Sequence, residues 1–133
     1  MADGLFGGTI NLLGRSLDIR SMRHNLISSN IANQETPGYK AVDIDFKTAL
    51  STAEGEPLPL TKSDERHAGG IYGGSAGTVS VQETGVDEGY DKNSVNIEKE
   101  MAKMAENTMM YNAAAEILAR KFKGLESAIR DVR

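Results

Sequence analysis

Residues 28–40, SSNIANQETPGYK, mark a point at which a helix has to end. Asn33 is typical of the left-handed residue that closes a helix, and Pro37 forces the preceding Thr36 toward an extended backbone. The pair Pro37-Gly38 suits the two central positions of a type II turn. The stretch therefore predicts a junction at which a helix gives way to a turn and then to extended chain.

The chain before this junction has the apolar periodicity of a helix over about residues 8–32. One row of apolar side chains has heptad spacing, is interrupted by Arg20 and His24, and consists of Phe6, Ile10, Leu13, Leu17, Ile27 and Ile31. A second row on an adjacent stripe repeats every seven residues and consists of Leu5, Leu12, Ile19 and Leu26. One partner helix covers only a narrow stripe, so the second row predicts another neighbour. We expect other subunits to supply it.

The end of the chain predicts a longer helix, from Asn96 onward. Its apolar or small side chains follow an unbroken 4-3-4-3 spacing and are Ile97, Met101, Met104, Thr108, Tyr111, Ala115, Leu118, Phe122, Leu125 and Ile129. Such a heptad pattern is typical of a coiled coil. Asn96 is a suitable N-cap, and Glu98 and Glu100 lie at the positive end of the helix dipole. At 1.5 Å per residue this helix would be roughly 50 Å long.

These patterns predict a mainly α fold, in which long N- and C-terminal helices pair as an antiparallel coiled coil around a short β- and loop-rich insert. Residues 1–36 and 93–133 form the predicted helical assembly domain. Residues 37–92 form a predicted flexible insert, in which acidic residues outnumber basic ones.

Two segments of the insert alternate between apolar and polar residues. The first contains Val42, Ile44 and Phe46, and the second spans residues 78–82. This alternation predicts two short, half-buried strands. Between them, residues 69–77 contain five glycines, which favours a linker.

Composition excludes several classes of function. The formal net charge of −4 argues against nucleic-acid binding, which normally needs a basic surface. The sequence contains no Cys, so it predicts neither disulfides nor thiolate metal sites. No apolar run approaches the roughly 20 residues that span a bilayer. The first residues lack the features of a secretory signal, so we expect any export to use another route.

The sequence offers little support for catalysis or ligand binding. The glycine run at 69–77 lacks the Gly-Lys-Ser/Thr ending of a phosphate-binding loop. His24 and His67 are the only imidazoles and have no metal-ligand spacing, so His24 is interpreted as a helix-packing residue. Asp43 and Asp45 fit strand alternation without a cation. We therefore expect no catalytic residue, cofactor, metal or small-molecule substrate.

The junction carries a longer pattern of fixed spacing. It consists of Ser29, Asn30, Ile31, Ala32 and Asn33, followed by Thr36, Pro37, Gly38, Tyr39 and Lys40. This pattern resembles the signature of the bacterial flagellar axial proteins, the rod and hook family. The short chain, the segments 60–67 and 91–98 and the two terminal helices resemble the proximal rod subunit in particular. The chain departs from that pattern at Lys92 and Asn96, where Gly and Asp are frequent.

The resemblance implies a structural subunit of the flagellar basal body that serves motility. Such a protein would leave the cell through the flagellar type III export apparatus without signal cleavage and assemble as a helical array in the periplasm. The implied partners are other copies of the chain, the rod proteins FlgC, FlgF and FlgG, the adaptor FliE and the membrane ring. Three alternatives stay open: another rod subunit such as FlgC, a soluble coiled-coil adaptor or secretion chaperone, and a peptidoglycan-cleaving enzyme.

Overall fold

The computed structural model of the chain describes residues 3–55, 81–84 and 92–130. The elements in chain order are α1 (Asp3–Ala32), β1 (Val42–Ile44), α2 (Phe46–Gly55), β2 (Val81–Glu83) and α3 (Ile97–Arg130). The fold is mainly helical, with a small two-stranded sheet between the long terminal helices. Most of the predicted linker, including residues 69–77, lies outside the described residues.

The two long helices pack together, as predicted, and α1 also contacts α2 and β1. Asn30 near the end of α1 meets Glu100 near the start of α3, and Asn107 meets the Arg20 carbonyl further along. α1 begins at Asp3, earlier than the predicted start near residue 8. None of the helices in the described ranges carries an apolar stretch long enough to cross a membrane.

Two local predictions at the chain's turns are confirmed. The Asn96 side-chain oxygen accepts a hydrogen bond from the Lys99 N–H at 3.1 Å and so caps α3. At the turn, the Tyr39 N–H donates to the Thr36 carbonyl at 3.2 Å. Gly38 has a φ of +72°, which a type II turn requires at its third residue and which glycine adopts without steric cost.

The predicted left-handed cap at Asn33 is wrong. Lys92 is the only non-glycine residue with positive φ in the described part of the chain. Asn33 instead turns its side chain back along α1 and donates to the Ser29 carbonyl at 2.8 Å. Because this bond satisfies one of the free carbonyls at the helix end, α1 closes without a left-handed residue.

The sheet pairs β1 and β2 antiparallel, with Val42 opposite Glu83 and Ile44 opposite Val81. The two predicted strands are therefore present in part, although residues 78–80 lie outside the described residues. The prediction that Phe46 belongs to the first strand is wrong because Phe46 begins α2.

Asp45 explains why the strand stops before Phe46. Its carboxylate accepts hydrogen bonds from the Lys47 N–H at 3.1 Å and the Thr48 hydroxyl at 2.6 Å, as an N-cap does. The hydrogen bond from Thr48 is the main reason that the pKa of Asp45 lies below its usual range. The sequence analysis missed α2, since a strand of three residues and a capped helix start share the same apolar spacing.

A small core forms where α1, β1 and α2 meet. Ile19, Ile44 and Ala49 are buried there, and the half-buried residues packed around them are Met22, Leu26, Phe46 and Leu50. The second predicted row of α1 thus supplies this core through Ile19 and Leu26. In the first row Ile27 is buried, and the half-buried members are Ile10, Leu13, Leu17 and Ile31. The predicted packing of Leu5 and Phe6 lies outside the described side chains.

The helix face that α3 turns toward α1 differs from an apolar seam. Its buried residues are Glu100, Asn107 and Ala114, spaced seven apart. Beside them runs a half-buried row of predicted seam residues, consisting of Met104, Leu118 and Leu125. The remaining large residues of the predicted seam are exposed and are Ile97, Met101, Tyr111, Phe122 and Ile129. Apolar periodicity alone could not find this face because two of its buried residues are polar.

Candidate functional site

The end of α1, the turn, β1 and the start of α3 meet in a group of buried polar side chains, which we call the polar junction. It consists of Arg23, Asn30, Asp43, Asn93, Ser94, Glu100 and Lys103. Buried polar groups cost free energy unless they are hydrogen-bonded. The partners of each side chain therefore show what the junction holds in place.

Asn30 lies at the centre of the polar junction and is fully buried. Its amide group donates to the Val42 carbonyl and to a Glu100 carboxylate oxygen, both at 2.8 Å. Its oxygen accepts from the Val42 N–H at 3.1 Å and from the Tyr39 hydroxyl at 3.3 Å. Asn30 thus pairs with both main-chain groups of Val42, as a neighbouring strand would, and joins α1, β1 and α3.

Asn93 holds the turn from the other side. Its amide group donates to three carbonyls, those of Asn33 at 3.1 Å, Gln34 at 2.9 Å and Thr36 at 2.7 Å. Its oxygen accepts from the Val95 N–H at 2.8 Å. The carbonyls that α1 leaves unpaired at its end are therefore satisfied by the segment that leads into α3.

Ser94 continues this attachment. Its hydroxyl accepts from the Ala41 N–H at 2.8 Å, and its own N–H donates to the Tyr39 carbonyl at 3.0 Å. The chain entering α3 thus runs beside residues 39–41 and fixes the path from turn to strand.

Four charged side chains close the polar junction on its other side. Arg23 donates to both carboxylate oxygens of Asp43, at 2.7 and 3.0 Å. Lys103 lies 3.4 Å from Asp43 and 2.7 Å from Glu100. Paired in this way, the charges link α1, β1 and α3 through hydrogen bonds of the stronger, charge-assisted kind.

The pairing changes the acidity of two members. Burial raises the pKa of Asp43, but the hydrogen bonds from Arg23 and the Ile44 N–H, together with the charges of Arg23 and Lys103, outweigh burial and hold it below its usual range. The hydrogen bond to Asp43 is the main reason that the pKa of Arg23 lies above its usual value. Asp43 is therefore committed to an ion pair, and Asp45 to the cap of α2.

The predicted motif residues have different positions relative to this junction. Asn30 lies at its centre, and Tyr39 contacts Asn30 from the turn. Ser29 and Tyr39 approach each other at 3.4 Å between their hydroxyl oxygens. The exposed motif residues are Ser29, Ala32, Thr36, Pro37 and Gly38, and the half-buried ones are Ile31, Asn33, Tyr39 and Lys40.

The analysis of the sequence missed most of the residues that bind the motif. Asn93 and Ser94 lie in the segment 91–98 that carries the family resemblance, and this was the available signal for them. Arg23, Glu100 and Lys103 lie on helices and carry no local signal. Charged residues on a helix are normally assigned to the solvent-facing side.

A second feature is an exposed apolar strip on α3, which we call the outer row and define as Met101, Phe122 and Ile129. Their exposed fractions are 60%, 53% and 73%. On the other flank of α3, Met110 and Ile117 are also exposed. Scattered apolar residues are normal on a protein surface, but rows of large ones along one helix favour protein–protein contacts.

No family model matches the chain, but it is similar to several curated proteins. A flagellar basal body rod protein FlgB of Cereibacter sphaeroides is 35% identical over 125 residues, which cover 94% of this chain and 96% of the relative. FlgB of Bacillus subtilis is 33% identical over 127 residues, 94% of this chain and 95% of the relative. FlgB of Borreliella burgdorferi is 29% identical over 132 residues, 94% of this chain and 98% of the relative.

Proposed function

Because the chain belongs to the FlgB family of flagellar basal body rod proteins, we propose that it is a structural, non-catalytic subunit of the proximal rod. In this role it assembles with copies of itself and joins the membrane ring and its adaptor to the rest of the rod. The family accounts for the structural role in the basal body. The position within the rod, the self-assembly and the connection to the ring are the further steps proposed here.

The single observation that carries self-assembly is the outer row on α3. Met101, Phe122 and Ile129 expose apolar surface along one side of a long helix. Removing such surface from water on contact with a neighbour is favourable, by about 25 cal/mol per Å² of apolar area. The predicted role of these residues in assembly therefore has a physical basis, and a repeated contact of one face with a different face of the next copy generates a helical array.

The polar junction supports a rigid subunit. Asn30 and Asn93 bind the main chain of the turn and of β1, so the two long helices and the connection between them move as one body. We propose that α1 and α3 form an antiparallel coiled coil within this body. The motif residues of the family then serve to hold the subunit's shape for assembly, and the two helices carry the contacts.

The proposed partners and location follow from the family. The neighbours are the rod proteins FlgC, FlgF and FlgG, the adaptor FliE and the membrane ring, and the rod lies in the periplasm. Delivery uses the flagellar type III export apparatus without cleavage of a signal. The chain binds neither nucleic acid nor a small-molecule substrate in this role.

Fractionation of basal bodies tests the proposal. Intact basal bodies from flagellated cells should contain the chain, and deletion of its gene should abolish both rods and swimming. A chain found only in the cytoplasm of flagellated cells, or rods that form normally without it, would contradict the proposal.

A further inference from the structure

A shallow cleft of about 210 Å³ opens between α1 and α3, further along the helix pair than the polar junction. The residues around it are Arg20, Ser21 and His24 of α1 and Asn107, Thr108 and Tyr111 of α3. His24, which was interpreted as a helix-packing residue, is exposed at this cleft. The cleft has no part in the contacts that hold the turn.

Two polar atoms at the cleft have no hydrogen-bond partner within the described residues. Asn107 is 1% exposed, and its amide group donates to the Arg20 carbonyl at 2.8 Å. The Asn107 side-chain oxygen and the Arg20 Nε are both buried and unpartnered. The Arg20 guanidinium carbon lies 3.9 Å from the centroid of the Phe46 ring, which holds the side chain in place. The cleft therefore presents one fixed acceptor and one fixed donor.

The position of the cleft connects it to the outer row. Thr108 lies seven residues after Met101 and fourteen before Phe122, so it shares their side of α3. A neighbouring helix that covers the outer row would pass over the cleft. Such a helix displaces water, and the unpartnered atoms would then have to bind a group that it carries.

The chemistry of the two atoms restricts this group. A carboxylate only accepts hydrogen bonds and an ammonium group only donates them, whereas a carboxamide does both from one planar group. The chain itself carries exposed carboxamides, among them Asn11, Asn25 and Asn112. A second copy can therefore supply what the cleft needs.

We propose that the cleft is a specificity site of the contact between two copies of this chain and that it receives an Asn or Gln side chain of the second copy. The carboxamide oxygen accepts from the Arg20 Nε–H, and its NH₂ group donates to the Asn107 oxygen. The outer row supplies apolar contact, and the cleft fixes the position at which the neighbouring helix lies. This inference rests on the self-assembly proposed above.

Two variants of the full-length chain test the site in a strain that lacks the wild-type copy. Thr108→Trp fills the cleft with an exposed side chain, and Thr108→Ser is its matched control. Arg20→Lys keeps the positive charge and the stem above Phe46 but removes the Nε–H. The amount of each variant in isolated basal bodies is measured, and the melting temperature of each purified variant shows that it folds.

Thr108→Trp should reduce incorporation at least tenfold and Arg20→Lys at least threefold, with melting temperatures within about 2 °C of wild type and with Thr108→Ser unchanged. Normal incorporation of Thr108→Trp would overturn the site. Normal incorporation of Arg20→Lys beside a failing Thr108→Trp would overturn the carboxamide contact.

The test separates this site from the proposed function. If the wild-type chain is itself missing from basal bodies, the function fails, and sedimentation of the purified chain then judges the cleft. Self-association of the wild type that Thr108→Trp abolishes would still support the site. A wild type that stays monomeric, or a Thr108→Trp variant that associates equally well, would refute it.

Discussion

Replacing Asn30 by Ala should destabilise the chain more than any other single change in the turn. The substitution removes two hydrogen bonds to the main chain of Val42 and one to the Glu100 carboxylate. Hydrogen bonds between neutral groups contribute about 0.5–1.5 kcal/mol each, and those to charged groups about 1.5–3 kcal/mol. Allowing for partial relaxation, we expect Asn30→Ala to lower the free energy of unfolding by about 3–5 kcal/mol.

Asn30→Asp separates hydrogen bonding from side-chain volume. The Asp oxygen can still accept from the Val42 N–H, but a second oxygen then faces the Glu100 carboxylate, where the native amide donates at 2.8 Å. Like charges at such a distance repel, and neither group offers a proton at neutral pH. Asn30→Asp should therefore cost at least as much as Asn30→Ala, although it is nearly isosteric with the native residue.

The control is a double variant. Glu100→Gln in the Asn30→Asp background removes one charge and restores an NH₂ donor, so it should recover more than about 1 kcal/mol. Urea unfolding followed by far-UV circular dichroism measures all variants on the full-length chain. A loss below 1 kcal/mol for Asn30→Ala, or no recovery in the double variant, would refute the role assigned to Asn30.

Four further predictions concern other parts of the fold. Gly38→Ala should cost about 1–2 kcal/mol in urea unfolding, because φ is +72° while no atom would contact the new methyl group. Asn96→Ala should cost about 1 kcal/mol and reduce helicity, through loss of the α3 cap. Since the folded-state pKa of Asp43 is lowered, its contribution is present above the ordinary value near pH ~4 and is lost as pH falls through the folded value; the difference in melting temperature from Asp43→Asn should shrink in that acidic range. Leu118→Asp, on the face toward α1, should block rod assembly and swimming far more than Glu116→Lys, whose side chain is exposed; equal effects would show that the assignment of the α3 faces is wrong.

The sequence alone determined the features that depend on neighbouring residues. The periodicity of the two long helices, the Asn96 cap and the type II turn at Gly38 are encoded within a few residues of where they occur. Local backbone geometry and capping act over three or four residues, which is the range that a sequence pattern can express. Where a cap competed with strand alternation, at Asp45, the same local rules gave two answers, and the helix formed.

Only the tertiary structure decided which face of α3 turns inward and what holds the turn. Glu100 and Asn107 are polar, and they lie in the packed face because their partners are on α1, 70 and 87 positions away. Asn93 likewise binds carbonyls 57 to 60 positions earlier in the chain. A polar side chain can be buried only where such partners exist, and the partners are brought into place by the fold. Apolar periodicity identified the helices, but it could not assign these polar side chains to the interior.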